Sequence, residues 1–162
     1  MTTAKKKSPR KATTAPDAIA LLKEDHAKVS KMFEQYDKLG DKAQAKKLEL
    51  CRKICTELKI HTAIEEEIFY PATREALPKE DDLLDEAQVE HDGAKKLIAE
   101  LDAMEPGDDL FDAKVTVLGE YIKHHVKEEH TEMFPKVRKT KLDLKELGMR
   151  LKFRKEELAK QV

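Results

Sequence analysis

The segment His61-Thr62-Ala63-Ile64-Glu65 sets an imidazole and a carboxylate four residues apart, and His125-Val126-Lys127-Glu128-Glu129 repeats the arrangement. Each copy closes on an aromatic and a proline, Tyr70-Pro71 and Phe134-Pro135. Residues four apart on a helix share a face, so each copy aims a nitrogen lone pair and carboxylate oxygens at one point. A lone histidine behind an acid stands upstream of each copy, Asp25-His26 and Glu90-His91, at gaps of 35 and 34 residues. The chain reads as a tandem repeat of helix pairs, each pair offering His plus His-x-x-x-Glu.

The elements that must position these groups follow from apolar periodicity. The first helix begins near Pro16-Asp17 and ends at Gly40, with the seam Ile19, Leu22, His26, Val29, Phe33, Tyr36. Asp41 is a plausible cap for a second helix running to about Phe69, where Pro71 ends or kinks it; its seam is Cys51, Ile54, Leu58, His61, Glu65, Ile68. After a polar loop around Pro78 to Asp82, the third helix carries Leu84, Ala87, His91, Ala94, Ile98 and Leu101 inward and stops at Pro106-Gly107. Asp109 caps the fourth, whose seam is Phe111, Val115, Leu118, Ile122, His125, Glu129, with a break at Pro135. Asp143-Leu144-Lys145-Glu146 resembles a capping box opening a final basic helix. The expectation is an all-α, up-down-up-down four-helix bundle over 16–140, an extra C-terminal helix over 141–162, and a disordered basic tail over 1–15.

Polar groups on core seams demand an explanation. His26, His61, His91, His125, Glu65 and Glu129 all fall on inward positions, and burying an unpaired ion costs several kcal/mol in a domain stable by only about 5–15 kcal/mol. A metal centre removes the conflict by turning the lone pairs into bonds. Four imidazoles and two carboxylates exceed the three protein ligands of a catalytic zinc and suit two metals, with two histidines each and the glutamates bridging. Nitrogen and oxygen donors without thiolate favour iron, with manganese or zinc as substitutes. No histidine has a glutamate three residues before it, which sets the pattern apart from the Glu-x-x-His of ferritin-like bundles.

Composition narrows the class further. Charged residues are 40% of the chain and aromatics 5%, which fits a helical protein with solvated outer faces rather than a β-sandwich. A net charge of −1 argues against nucleic-acid or membrane binding by the whole molecule. Lys5, Lys6, Lys7, Arg10 and Lys11 concentrate positive charge in the tail, where a weak nucleic-acid or polyphosphate contact is the sharper reading beside simple solubilisation. No apolar run reaches transmembrane length and no secretory signal opens the chain, so a cytoplasmic location is the default. Cys51 and Cys55 read as core filling in a reducing compartment.

The pattern of His26, His61 with Glu65, His91, and His125 with Glu129 resembles the hemerythrin-like, HHE cation-binding family over roughly residues 17 to 140. The resemblance implies a four-helix bundle holding an oxo- or hydroxo-bridged pair of irons that meets dioxygen, nitric oxide or peroxide. Oxygen-carrying members have another histidine four residues after that of the third helix; here Lys95 stands there, and the expectation is that it turns outward and leaves one iron more open. The ligand set therefore looks like that of the four-His, two-Glu members. Some of those are linked to nitrosative stress and iron–sulfur repair; the repair role goes with a Cys-containing N-terminal domain and is not carried over to this sequence.

Neighbouring residues sort by register. His124 and Glu128 also make His-x-x-x-Glu but lie one step off the seam, and aligning Pro71 with Pro135 selects His125 and Glu129. His130 reads as a surface residue, Glu66 as its counterpart in the repeat and no paired ligand, and Tyr36 and Tyr121 as core aromatics or neighbours of the site. Three functions fit: a module binding or sensing a small gas, a peroxide-consuming oxidoreductase, and an iron-handling protein whose tail touches DNA. Oligomeric state leaves no trace in the sequence.

Overall fold

The computed structural model describes residues 15–162, so nearly all of the basic tail lies outside it. Among the described residues every regular element is a helix. Helix α1 spans Ala18–Asp37, α2 Gln44–Ile64, α3 Tyr70–Ala76, α4 Asp81–Asp102, α5 Phe111–Glu128, α6 Phe134–Arg138 and α7 Leu144–Ala159. α1 pairs with α2 and α4 with α5, while contacts of α2 with α4 and of α1 with α5 close an up-down-up-down bundle. α7 lies across α1 and α2.

Caps explain some helix starts. Asp17 accepts from the Ala20 amide at 2.8 Å and Asp143 from the Glu146 amide at 3.1 Å, satisfying free N–H groups of α1 and α7. The expected caps Asp41 and Asp109 do not serve. Asp41 falls in a turn closed by the Ala43 amide on the Gly40 carbonyl, two residues too early for α2. α5 starts after Leu110, which takes φ 70°, because Asp108 instead accepts from the Glu105 amide at 2.8 Å and tightens the preceding turn.

The helices do not end at the prolines. Between α2 and α3 lies a π-helical stretch, Glu65–Phe69, and between α5 and α6 another, Glu129–Met133. In each, an amide reaches back five residues, Tyr70 to the Glu65 carbonyl and Phe134 to the Glu129 carbonyl. A proline in a regular helix lacks one N–H and drives its ring against the carbonyl four residues back. The wider turn relieves that clash, so the expected break at Pro71 becomes a bulge and the helix runs on to Ala76.

The core is split in two. One cluster holds Ile19, Leu22, Phe69, Phe134, Leu147 and Leu151; the other holds Val29, Ile54, Leu58, Ile98, Phe111 and Leu118. Cys51 and Cys55 are buried free thiols in the second cluster, consistent with packing. The seam histidines and glutamates occupy the layer between, walled above and below by apolar side chains.

Candidate metal centre

His26, His61, His91, His125, Glu65 and Glu129 meet in that layer, each no more than 6% exposed. Their donor atoms form two groups: His26, His61, Glu65 and Glu129 converge in one, and His91, His125 and Glu65 in the other. Glu65 belongs to both. Glu129 also reaches across, with Oε1 2.8 Å from His125 Nε2 and 3.5 Å from His26 Nε2. Both carboxylates therefore stand between the two histidine pairs.

All four imidazoles turn Nε2 inward. The Nε2 atoms of His26 and His61 are 3.0 Å apart, and those of His91 and His125 are 3.2 Å apart. Glu65 Oε1 and Oε2 and Glu129 Oε1 are fully buried and make no well-formed hydrogen bond, although Glu65 Oε1 lies 2.5 Å from His61 Nε2 and Glu129 Oε1 2.8 Å from His125 Nε2. Buried carboxylate oxygens are nearly always hydrogen-bonded, and three without a regular bond, crowded among inward imidazole nitrogens, are what a set of unfilled ligands looks like. The donor set thus fits metal ions on its own geometry.

Each outward-facing Nδ1 is fixed by a partner, which is how ligating histidines are oriented. His61 Nδ1 lies 3.0 Å from Asp25 Oδ2, His125 Nδ1 3.1 Å from Glu90 Oε1, His91 Nδ1 3.3 Å from Glu66 Oε2, and His26 Nδ1 2.8 Å from His130 Nε2. The acid before each lone histidine thus holds the histidine of the partner helix. Glu66 and His130, equivalent in the two repeats, serve equivalent roles. His130 is therefore not the surface residue its off-seam position suggests; it is half-buried against His26.

Tyr70 is the functional neighbour that the seam analysis misses. Its hydroxyl lies 3.1 Å from Nε2 of both His91 and His125 and 3.4 Å from Glu129 Oε2. On a regular α-helix a residue five after Glu65 sits roughly 140° away from it. The π-helical turn absorbs one residue and brings Tyr70 to the ligand face. Tyr36 is buried but distant, donating to Asp112 at 2.6 Å, and Tyr121 is 49% exposed, so neither touches the centre. His124 is 65% exposed and pairs with Glu128 at 3.1 Å, outside the inward layer. Lys95 turns outward to Glu66, 2.6 Å away.

Charge in the layer is mutually stabilised. Burial works against protonated His61, but Glu65 and Asp25 outweigh it and push its pKa up to about 10. Burial likewise opposes protonated His125, yet Glu129, Glu90 and Glu65 raise it to about 11. Burial would raise Glu65, but His61 and the groups around it hold its carboxyl well below the usual range. Burial, then the charges of Glu129 and Glu65, keeps the Tyr70 phenol protonated far above its ordinary range. Without metal, protons stand in the places where cations would bind.

A family model described as the hemerythrin HHE cation binding domain matches residues 17–137. The chain belongs to this family. Among solved structures, that of a hemerythrin HHE cation binding domain-containing protein from Mycobacterium kansasii superposes with a TM-score of 0.75 over 90% of this chain and 89% of that one. At 23% identity this likeness concerns the fold. A curated relative, a DNA nickase of Nostoc sp., is 26% identical over 118 residues, which are 73% of this chain but 32% of that protein. The HHE chain thus spans about a third of that relative's length. No helix among the described residues of the HHE chain is long and apolar enough to cross a membrane.

Proposed function

We propose that this HHE protein holds two iron ions and binds dioxygen, nitric oxide or peroxide beside them. His26 and His61 would hold one ion, His91 and His125 the other, and Glu65 and Glu129 would bridge. Iron bound there would supply redox chemistry and open positions for a small ligand; manganese or zinc could occupy the same donors. The observation that carries the two-metal reading is the convergence of two histidine pairs on buried carboxylate oxygens that lack any other partner.

The gas-ligand part rests on a cavity beside the histidines. It is about 10 Å³, room for about one water-sized molecule, and Val29, Leu58, Ile122 and Val126 line it with the imidazoles. His26, Ile122 and Val126 also border a groove of about 410 Å³ between α1 and α5, which offers a route from solvent. A pocket of this size favours a diatomic molecule or peroxide over a larger substrate. The Tyr70 hydroxyl places a proton on the side of His91 and His125, which suits a peroxide-consuming activity as an alternative use of the same centre.

A second reading draws on the Nostoc relative. It makes this an iron-handling protein that touches DNA through Lys5, Lys6, Lys7, Arg10 and Lys11. DNA binding that weakens with salt and disappears on deleting residues 1–15 is its test; retention in the truncated protein contradicts it. The main reading is tested by exposing iron-loaded protein to nitric oxide and to hydrogen peroxide. A changed absorption spectrum with nitric oxide marks a ligand-binding centre, sustained peroxide loss marks an enzyme, and neither response contradicts both uses.

A further inference from the structure

Helix α7 lies beyond the residues matched by the family model, yet one of its side chains joins the ring of groups around the centre. Lys155 donates to Asp25 Oδ1, and Asp25 Oδ2 faces His61 Nδ1 at 3.0 Å. Asp25 is only 5% exposed, so its charge depends on these two neighbours. Asp25 is thus a relay between a lysine of the outermost helix and a histidine of the innermost layer.

The helix is seated closely enough to hold that lysine in place. A Cβ on Gly148 would stand 2.7 Å from the Pro16 carbonyl oxygen and 2.8 Å from the Ala18 amide nitrogen, so α7 crosses the start of α1 in backbone contact. Leu147 and Leu151 are buried beneath it. One residue before Lys155, Arg154 binds Glu67 in the first π-helical stretch through Nε at 2.7 Å and Nη2 at 3.3 Å. α7 therefore grips both Asp25 and the turn that follows Glu65.

The other half of the repeat is braced from within the bundle: Lys95 of α4 binds Glu66 at 2.6 Å, and Glu66 Oε2 faces His91 Nδ1 at 3.3 Å. Glu90, equivalent to Asp25, holds His125, and its second oxygen lies 3.6 Å from the exposed His124 of α5 itself. No residue of α7 takes part in these contacts.

We infer that α7 is a one-sided clamp on the metal centre: Lys155, acting through Asp25, holds the His61 ring with Nε2 turned inward and so sets how firmly the metal on the His26–His61 side is kept. The inference rests on the two-metal reading. Without its ammonium partner, a buried carboxylate is driven to turn toward water. That turn removes the acceptor that orients His61, and losing such a partner weakens metal binding by about 10–100-fold. Lys155 is a positioning residue; it touches no ligand oxygen or Nε2 atom.

The test is chelator-driven release from full-length, iron-loaded protein, counting iron per chain over time. In Lys155→Met, one equivalent should leave about 10-fold faster or more, while the other keeps its wild-type rate. Lys155→Arg should restore retention, and adding Lys155→Met to Asp25→Asn should change nothing further. Unfolding midpoints of the metal-free variants, within the range of the wild type, separate a local effect from general loosening. Acceleration of both equivalents together, no acceleration, slower release, or failure of the arginine variant to restore retention would each overturn the clamp. The iron content of unmodified protein at the start of the same experiment tests the two-metal reading separately.

Discussion

Tyr70 and Phe134 occupy equivalent places in the two halves of the bundle, each immediately after a π-helical stretch, but only Tyr70 brings a hydroxyl to the ligand layer. Phe134 lies parallel to the His26 ring, with centroids 6.0 Å apart, and offers no polar atom. The two halves share a backbone plan and differ in chemistry. Of this equivalent pair, only Tyr70 has a proton to offer a ligand bound at the centre.

Tyr70→Phe isolates that difference. Phe134 shows that a phenyl ring fits this setting, so the variant should fold and keep its metal content. If the hydroxyl serves as a proton donor, peroxide consumption should fall by about 10²-fold or more. Stopped-flow rates for both proteins, normalised to bound iron, provide the measurement; equal rates would remove Tyr70 from the chemistry.

Metal-free protein should have a distinctive pH profile. His61 and His125 have folded-state pKa values raised to about 10 and about 11, so their contribution is full below the ordinary histidine value of 6.5 and is lost as pH rises toward those values. Glu65 is depressed, so its contribution is present above 4.5 and lost as pH falls. Denaturant titrations should place maximum stability between 4.5 and 6.5 with a decline above it. Metal-loaded protein should lose less on the alkaline side, because bound cations replace those protons. A metal-free protein as stable at pH 9 as at pH 6 would contradict the charge arrangement described here.

Ile122 and Val126 separate the α1–α5 groove from the small cavity at the histidines. Ile122→Ala should speed nitric oxide binding several-fold, and Val126→Phe should slow it by a similar factor, with iron content unchanged in both. Flash-photolysis or rapid-mixing rates measure this directly. Insensitivity of the rate to both changes would place the entry route elsewhere.

The adjacent histidines of α5 provide a sharp contrast. His125 faces the layer at 4% exposure, whereas His124 points outward. His125→Ala should lose at least one metal and His124→Ala should keep both, as read by metal analysis of purified protein. The opposite result would mean that the inward face of α5 has been misassigned by one residue.

Much of this arrangement is written in residue spacing. Period-three-and-four seams through Leu22, Leu58, Ile98 and Leu118 give the bundle, and histidines on those same seams give the inward layer. What spacing conceals lies where the helix departs from its regular pitch. Tyr70 is out of phase with Glu65 until the π-helical turn removes a residue from the register, and only Pro71 hints at such a turn. His130 and Glu66 sit off the seam because they hold the outer nitrogens of His26 and His91 rather than entering the layer. The contribution of Lys155 depends on how α7 docks, which the local pattern of that helix does not encode.

The most direct test is metal analysis of full-length protein produced in iron-replete medium, combined with its absorption spectrum and repeated on Glu65→Ala. The account predicts two irons per chain with charge-transfer absorption, and loss of that two-iron signature when Glu65 is removed. One tightly held zinc in the unmodified protein, or two irons retained with an unchanged spectrum without Glu65, would contradict it.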